Sequence, residues 1–298
     1  MPSAARRPYS KPALTSEDLL RHLEHRGLAI VDRGSALEAL ERIGYYRLLV
    51  YMRPLQREDA VAGARRFVVG ATFGDVLALY DFDRKLRLLC MDAVERIEVS
   101  LRSAIVCEVA VRHGPHFYLE DAHFERPTGC TSLRSAVEKE ARRHAASRHY
   151  GERYCEPPLP PVWVAMEAVS FGTLSHLFSN LRLDHRKAIA RRFGFDETVL
   201  ASWFRAVTGL RNVAAHHGRL WNAALTADKP LVAKKLKADF GAMQDSFFAR
   251  ALVTAALLAP DDSAEWKRRL RALLDASPHV DEGRMGFPSG WRTRPFWT

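Results

Sequence analysis

Long hydrophobic runs are missing from this sequence. The apolar stretch Ala251–Pro260 is about ten residues, too short for roughly 30 Å of hydrocarbon, so no membrane-spanning helix is expected. Cysteine is scarce, with four in 298 residues. Cys90, Cys107, Cys130 and Cys155 form no Cys-x-x-Cys pair, which argues against a disulfide scaffold, a zinc ribbon or a thioredoxin-like motif. No glycine-rich phosphate loop is present, so ATP or GTP hydrolysis is disfavoured. Alternating strand patterns are nearly absent, and no internal repeat or low-complexity segment is found. The N-terminus is basic but has no apolar core, so no signal peptide is expected. Four scattered thiols suit a reducing cytoplasm, where they act mostly as small apolar fillers.

What is present is an ordinary globular mixture, 47% hydrophobic and 27% charged, with a basic excess of +10. That excess makes a polyanionic partner plausible, and simple solubility is the plainer alternative.

Helical periodicity dominates, and the chain is expected to be all-α. Residues 1–14 read as a loose arm. Thr15–Asp18 opens a short helix ending near Gly27, and 34–43 forms a second one closed by Gly44. An aromatic, leucine-rich segment then runs to Pro54. Residues 57–70 read as a loop, with a brief strand at 67–69. Thr72, with Asp75 as capping partner, opens a stripe of Phe82, Leu86, Leu89, Val94, Ile97, Leu101, Ile105 and Val109. That stretch of about 40 residues is either one bent helix or two. Residues 114–131 read as loop, 132–150 as one charged helix, and 157–161 (PPLPP) as a loop docked on the core. Further helices are expected over 163–181 with a break near Gly172, over 184–193, and from Asp196 to about His217. Residues 229–259 add one or two more, and 261–275 a last one capped by Asp262 or Ser263. The tail 277–298 carries Phe287, Trp291, Phe296 and Trp297, so it is expected to pack back on the body.

One segment holds the chemistry. Arg211-Asn212-Val213-Ala214-Ala215-His216-His217-Gly218-Arg219-Leu220-Trp221-Asn222 gathers two Arg, two His and Asn into a short stretch. A guanidinium grips a phosphate and neutralises charge that grows in a transition state. An imidazole, with an ordinary pKa near 6.5, exchanges protons at neutral pH. With RNA the substrate's own 2′-hydroxyl can attack, so neither a metal nor a protein nucleophile is required. On a regular helix His216 lies about 140° from Arg211 and about 40° from Asn212. Either the helix distorts near its end, or a second copy of the chain completes the site. The bland alternative is a structural hydrogen-bond knot at a helix end.

The same stretch resembles the signature of the Abi-like abortive-infection family of bacterial phage-defence proteins: Arg-Asn, three small residues, His-His, then Arg-Leu-Trp-Asn. Ile43-Gly44-Tyr45-Tyr46-Arg47-Leu48 resembles the family's N-terminal element. The segments 79–87 and 95–102 look like its long central helix, and 157–163 with 170–175 like a further block. Met285-Gly286-Phe287-Pro288 with Trp291 and Trp297 resembles its C-terminal end. Ala214 stands where the family often has Cys, another small residue. The family is similar to the HEPN superfamily of all-α proteins. Many HEPN members are RNases with an Arg, four to six residues, then a His, and with a site formed across a dimer.

The resemblance implies a HEPN-like core over 71–225, flanked by an arm and short helices over 1–70 and by C-terminal helices with an aromatic tail over 226–298. It implies a metal-independent endoribonuclease acting in phage defence, with no cofactor. Arg211 would stabilise the scissile phosphate and His216 would act as general acid/base. His217 would assist, and Asn212 would position the phosphate or the imidazole. Arg96 and Arg219 are candidate RNA-binding residues. The expected partners are RNA, a second copy of the chain, and an antitoxin or phage-derived trigger. The alternative is a non-catalytic RNA-binding or partner-binding module, because some HEPN proteins cut nothing.

Other groupings carry less. Glu95, Arg96, Glu98 and Arg102 read first as an intrahelical ion-pair lattice of the Glu98–Arg102 type. Asp81 and Asp83, two residues apart, do not share a helix face. His113, His116 and His123 lie in one region without zinc-type spacing, so no metal is expected there. Basic groups at 187–192, 234–237 and 267–271 read as solvated helix faces that can also guide an RNA backbone.

Overall fold

Several helix starts in this chain are set by short polar side chains that satisfy the first free N–H groups. The computed structural model describes residues 12–58, 65–141 and 143–298. Residues 1–11 of the expected arm and 59–64 of the expected loop lie outside the described residues. Thr15 Oγ1 accepts from Asp18 N–H at 3.1 Å and opens α1 (Ser16–His25). Asp32 accepts from Ser35 N–H at 3.0 Å and opens α2 (Arg33–Arg42). Gly44, with φ 90°, turns the chain into α3 (Tyr45–Met52). A small antiparallel ribbon follows, β1 (Gln56–Glu58) and β2 (Arg65–Phe67). The strand expected at 67–69 ends at Phe67. Three residues are too few to leave a readable alternation. The structure is otherwise helical, so the chain is all-α.

Two compact units result, 1–82 and 83–298, and the division falls inside the long helix α4 (Phe73–Ile105). In the first unit Leu20, Leu23, Leu48, Tyr51, Met52 and Val76 are buried, and Tyr80 meets Tyr51 edge-on at 5.6 Å.

A reciprocal capping box starts α4: Asp75 N–H donates to Thr72 Oγ1 at 3.1 Å, and Thr72 N–H to Asp75 Oδ2 at 2.8 Å. The helix runs through a single π turn, Val106–Ala110, into α5 (Val111–His113) and stops at Gly114, φ 92°. The ambiguous stretch is therefore one helical run with a π turn near its end.

The next segment corrects the expectation of a loop to 131 and one helix over 132–150. α6 (Pro127–Ala141) starts earlier, because proline is tolerated at a first helical position, and α7 (Ala145–Arg153) is separate. His144 is extended and breaks the run. α8 (Val162–Ala168) and α9 (Phe171–Asn180) divide at extended Val169 rather than at Gly172. Ser170 Oγ accepts from Thr173 N–H at 3.3 Å to start α9. The PPLPP run is docked as expected: Tyr118 and Tyr150 donate their hydroxyls to the carbonyls of Pro160 (2.6 Å) and Pro157 (2.8 Å).

α10 (Leu183–Phe193) ends at left-handed Gly194, and α11 (Glu197–Ala215) follows. Phe204 of α11 takes Phe178 and Phe171 of α9 edge-on, at 5.2 and 6.3 Å between ring centres. Across 229–259 only a short 3-10 turn (Lys234–Leu236) and α12 (Phe247–Leu257) form. Buried Arg250 holds the intervening loop by donating to the carbonyls of Leu225 (2.8 Å) and Ala227 (2.6 Å). α13 (Pro260–Asp275) starts on Pro260, so Asp262 and Ser263 lie inside its first turns rather than capping it. The tail packs back: Phe248 meets Phe287 at 5.0 Å and Trp297 at 5.4 Å, and Trp291 meets Trp297 at 5.0 Å.

Candidate functional site

The front half of the polar segment is the last turn of α11. The helix stays regular to Ala215 and closes in a double hydrogen-bonded terminus. His217 N–H donates to Ala214 O at 3.1 Å, and Gly218 N–H to Val213 O at 2.7 Å. The residue in the left-handed conformation at this terminus is His217, with φ 58°, where glycine is the usual occupant. Gly218 is required for a different reason. A Cβ there would sit 2.7 Å from Val213 Cγ1 and 2.9 Å from Val213 O. The consequence is that His216 and His217 both stand exposed at the end of the helix, with Asn212 exposed one turn earlier and Arg211 half-buried.

The back half turns inward. Leu220 and Trp221 are buried, and both donate backbone N–H groups to Asp83 Oδ1, at 3.0 and 2.7 Å. Asp83 is fully buried on α4 and forms an ion pair with Arg87 one turn later. Arg87 also donates to Gly218 O at 3.4 Å. A buried carboxylate is tolerable only when its lone pairs are filled, and here two N–H groups and a guanidinium fill them. The sequence places Asp83 and Arg87 on the polar face opposite the apolar stripe, and Asp83 as a partner of Asp81; the structure corrects this by burying both. The i,i+4 spacing of Asp83 and Arg87 was the available signal, but only burial distinguishes such a pair from a surface one.

Arg211 lies beside a second group of charges. Burial pushes the Glu98 carboxyl above the usual glutamate range. Arg102 and Arg211 pull it back, while Glu167 and Glu95 add to the rise. Arg102 pairs with Glu98 at 2.6 Å, as the spacing predicts, and with Glu167 at 3.4 Å, and it donates to Met166 O at 3.0 Å. Arg211 also makes a long contact of 3.4 Å to Asn212 Oδ1.

The structure does not bring Arg96 into this group. It lies about 200° around α4 from Glu98, and it pairs with Asp262 of α13 at 2.7 Å and Asp92 at 3.7 Å. Arg219 reaches forward to the Asn222 carbonyl at 3.3 Å and so closes its own turn. Part of the surrounding basic charge is also engaged in structure. Lys235 donates to Gly194 O at 2.7 Å, Lys267 to Phe296 O at 2.7 Å, and Arg269 pairs with Asp92 at 2.9 Å. No described helix is long and apolar enough to cross a membrane.

The arrangement offers two exposed imidazoles and an amide at a helix end, with a half-buried guanidinium whose charge is felt by Glu98 of the long helix. Such a set can exchange protons with, and bind, a phosphodiester. No curated protein and no solved structure matches the chain. The model of the family described as Abi-like protein matches residues 38–222, from the middle of α2 to the last residue of the polar segment, and the chain belongs to that family.

Proposed function

We propose that this protein is a metal-independent endoribonuclease of phage defence, with a HEPN-type core. The observation that carries the reading is the division of labour within 211–222. Its back half is the buried knot around Asp83, so structure accounts for Gly218, Leu220 and Trp221. It does not account for His216, His217 and Asn212, which are exposed. A left-handed histidine at a position that favours glycine is backbone strain retained for a purpose.

In the proposed reaction the 2′-oxygen of RNA attacks phosphorus and the bond to the 5′-oxygen breaks. One imidazole takes the 2′-hydroxyl proton and one gives a proton to the departing 5′-oxygen. The products carry a 2′,3′-cyclic phosphate and a 5′-hydroxyl. His216 is the acid/base, and His217 assists or orients it. Arg211 neutralises the phosphate, and Asn212 positions it or the imidazole. Arg219 adds positive charge beside the helix end. Because α11 is regular between Arg211 and Ala215, Arg211 and His216 stay about 140° apart on one chain. A homodimer, in which each copy offers histidines to the partner's arginine, resolves that geometry. An antitoxin or a phage-derived trigger would hold such an enzyme in check.

The test is wild type beside a His216→Ala/His217→Ala double variant on end-labelled mixed RNA, with EDTA throughout. Cleavage by wild type alone, leaving cyclic-phosphate ends, is expected. Equal cleavage by both proteins would remove the assignment. RNA binding without cleavage by either would favour a binding module.

A further inference from the structure

A second histidine group lies away from the polar segment, on three pieces of chain. His113 ends α5, His123 ends the 3-10 turn Asp121–His123, and His185 sits in the first turn of α10. His123 Nδ1 lies 3.1 Å from His185 Nε2. The His113 ring centre is 4.6 Å from that of His123 and 4.8 Å from that of His185. One ring nitrogen from each residue lies within 4.8 Å of the other two.

The outward nitrogens are equally organised. His123 turns its Nε2 to Glu120 Oε2 at 3.5 Å, and His185 turns its Nδ1 to Asp184 Oδ2 at 3.8 Å. Each of the two thus has one nitrogen aimed into the group and the other backed by a carboxylate. A carboxylate beside the outer nitrogen favours the tautomer that can turn a lone pair inward to an ion. Without an ion the two inner nitrogens share one hydrogen bond at 3.1 Å, whose proton an arriving ion displaces. The backbone is also fixed in advance. Arg182 N–H donates to His123 O at 3.0 Å, and Glu125 N–H to Asn180 O at 2.8 Å. These bonds tie the His123 turn to the start of α10.

We propose that His113, His123 and His185 form a binding site for one divalent metal ion of the Zn²⁺ class, with a fourth position open to solvent. Tetrahedral Zn²⁺ with Zn–N near 2.0–2.1 Å requires ligand nitrogens about 3.3 Å apart, close to the His123–His185 spacing. His113 is exposed at a helix end and closes the remaining distance by a side-chain rotation, while His123 and His185 are 12% and 5% exposed and stay in place. All-imidazole donors favour Zn²⁺ and its late first-row neighbours over Mg²⁺ or Ca²⁺. Sequence spacing expected no metal here because it offered His113, His116 and His123. His116 lies against Tyr150 instead, and the third ligand comes from 62 residues beyond His123.

The site is independent of the proposed cleavage, which proceeds in EDTA. The full chain, freed of metal by chelator, is titrated with Zn²⁺ by calorimetry and with Co²⁺ by visible absorbance. One equivalent of Zn²⁺ is expected to bind, with a Co²⁺ band of tetrahedral intensity. Zn²⁺ is also expected to raise the wild-type Tm. His113→Ala, an exposed change that leaves the metal-free Tm unaltered, should weaken binding at least tenfold and abolish that rise, and His185→Gln should do the same. The His216→Ala/His217→Ala variant should bind as wild type does. No stoichiometric binding, or binding unchanged by His113→Ala, overturns the site.

Discussion

Asp83 Oδ1 accepts the backbone N–H of Trp221 at 2.7 Å, joining residues 138 apart in sequence. With Leu220 N–H and Arg87 it makes the long helix the anchor of the segment that follows His217. The exposed histidines therefore stand on a terminus fixed from behind.

Removing that anchor should be severe. Asp83→Ala removes the carboxylate that pairs with Arg87, which is 6% exposed, and that accepts from two backbone donors. Loss of one partner of a buried pair costs about 3–5 kcal/mol, to be read from urea melts. Arg96→Ala breaks only exposed pairs and should cost about 0–1 kcal/mol. It should also leave RNA cleavage unchanged, because Arg96 belongs to the α13 face.

The helix terminus separates stability from chemistry. His217→Gly relieves a left-handed non-glycine residue and should leave the protein unchanged or up to about 1 kcal/mol more stable. The same variant should cleave RNA more slowly, because His217 assists or orients His216. Gly218→Ala drives a methyl into Val213 and should destabilise by about 1–3 kcal/mol. A His217→Gly protein less stable than wild type would show that the histidine is structural.

Glu98 gives a pH signature. Its folded pKa is raised, chiefly by burial, so between the unfolded and folded values the native state binds the extra proton. Its contribution to stability therefore falls as pH rises from the ordinary glutamate range through the folded value. Glu98→Gln keeps the neutral form at every pH. Its Tm relative to wild type should rise with pH across that window and converge with wild type at lower pH. A difference independent of pH would contradict the assignment.

The tail is part of the core. Trp297 is fully buried against Phe248 and Trp291. Trp297→Ala should cost about 3–5 kcal/mol, as large aromatic truncations in cores do, measured by thermal melting with near-ultraviolet dichroism.

Much of this was readable from sequence for a local physical reason. Thr15 and Thr72 mark helix starts because capping is settled within three residues, whereas Ser170 caps a helix where the sequence reads a break at Gly172. The stripe from Phe82 to Val109 reads as helix because one face must be apolar. The polar segment, with its family resemblance, is contiguous in sequence. The misread boundaries were also local, at positions where two signals competed. Pro127 and Pro260 look like breakers but begin helices, and His144 ends a run whose charge pattern continues through it.

The sequence by itself determined the all-α class, the principal helices and the return of the aromatic tail, and it singled out Arg211, Asn212, His216 and His217 as candidates. Only the tertiary structure decided that Asp83 is the buried anchor, that Arg96 faces α13, that His217 and not Gly218 takes the left-handed turn, and that His185 joins His113 and His123. The reason is distance along the chain. Helical period and capping are short-range, whereas burial of a carboxylate, or the meeting of two imidazoles 62 residues apart, depends on how separate elements pack.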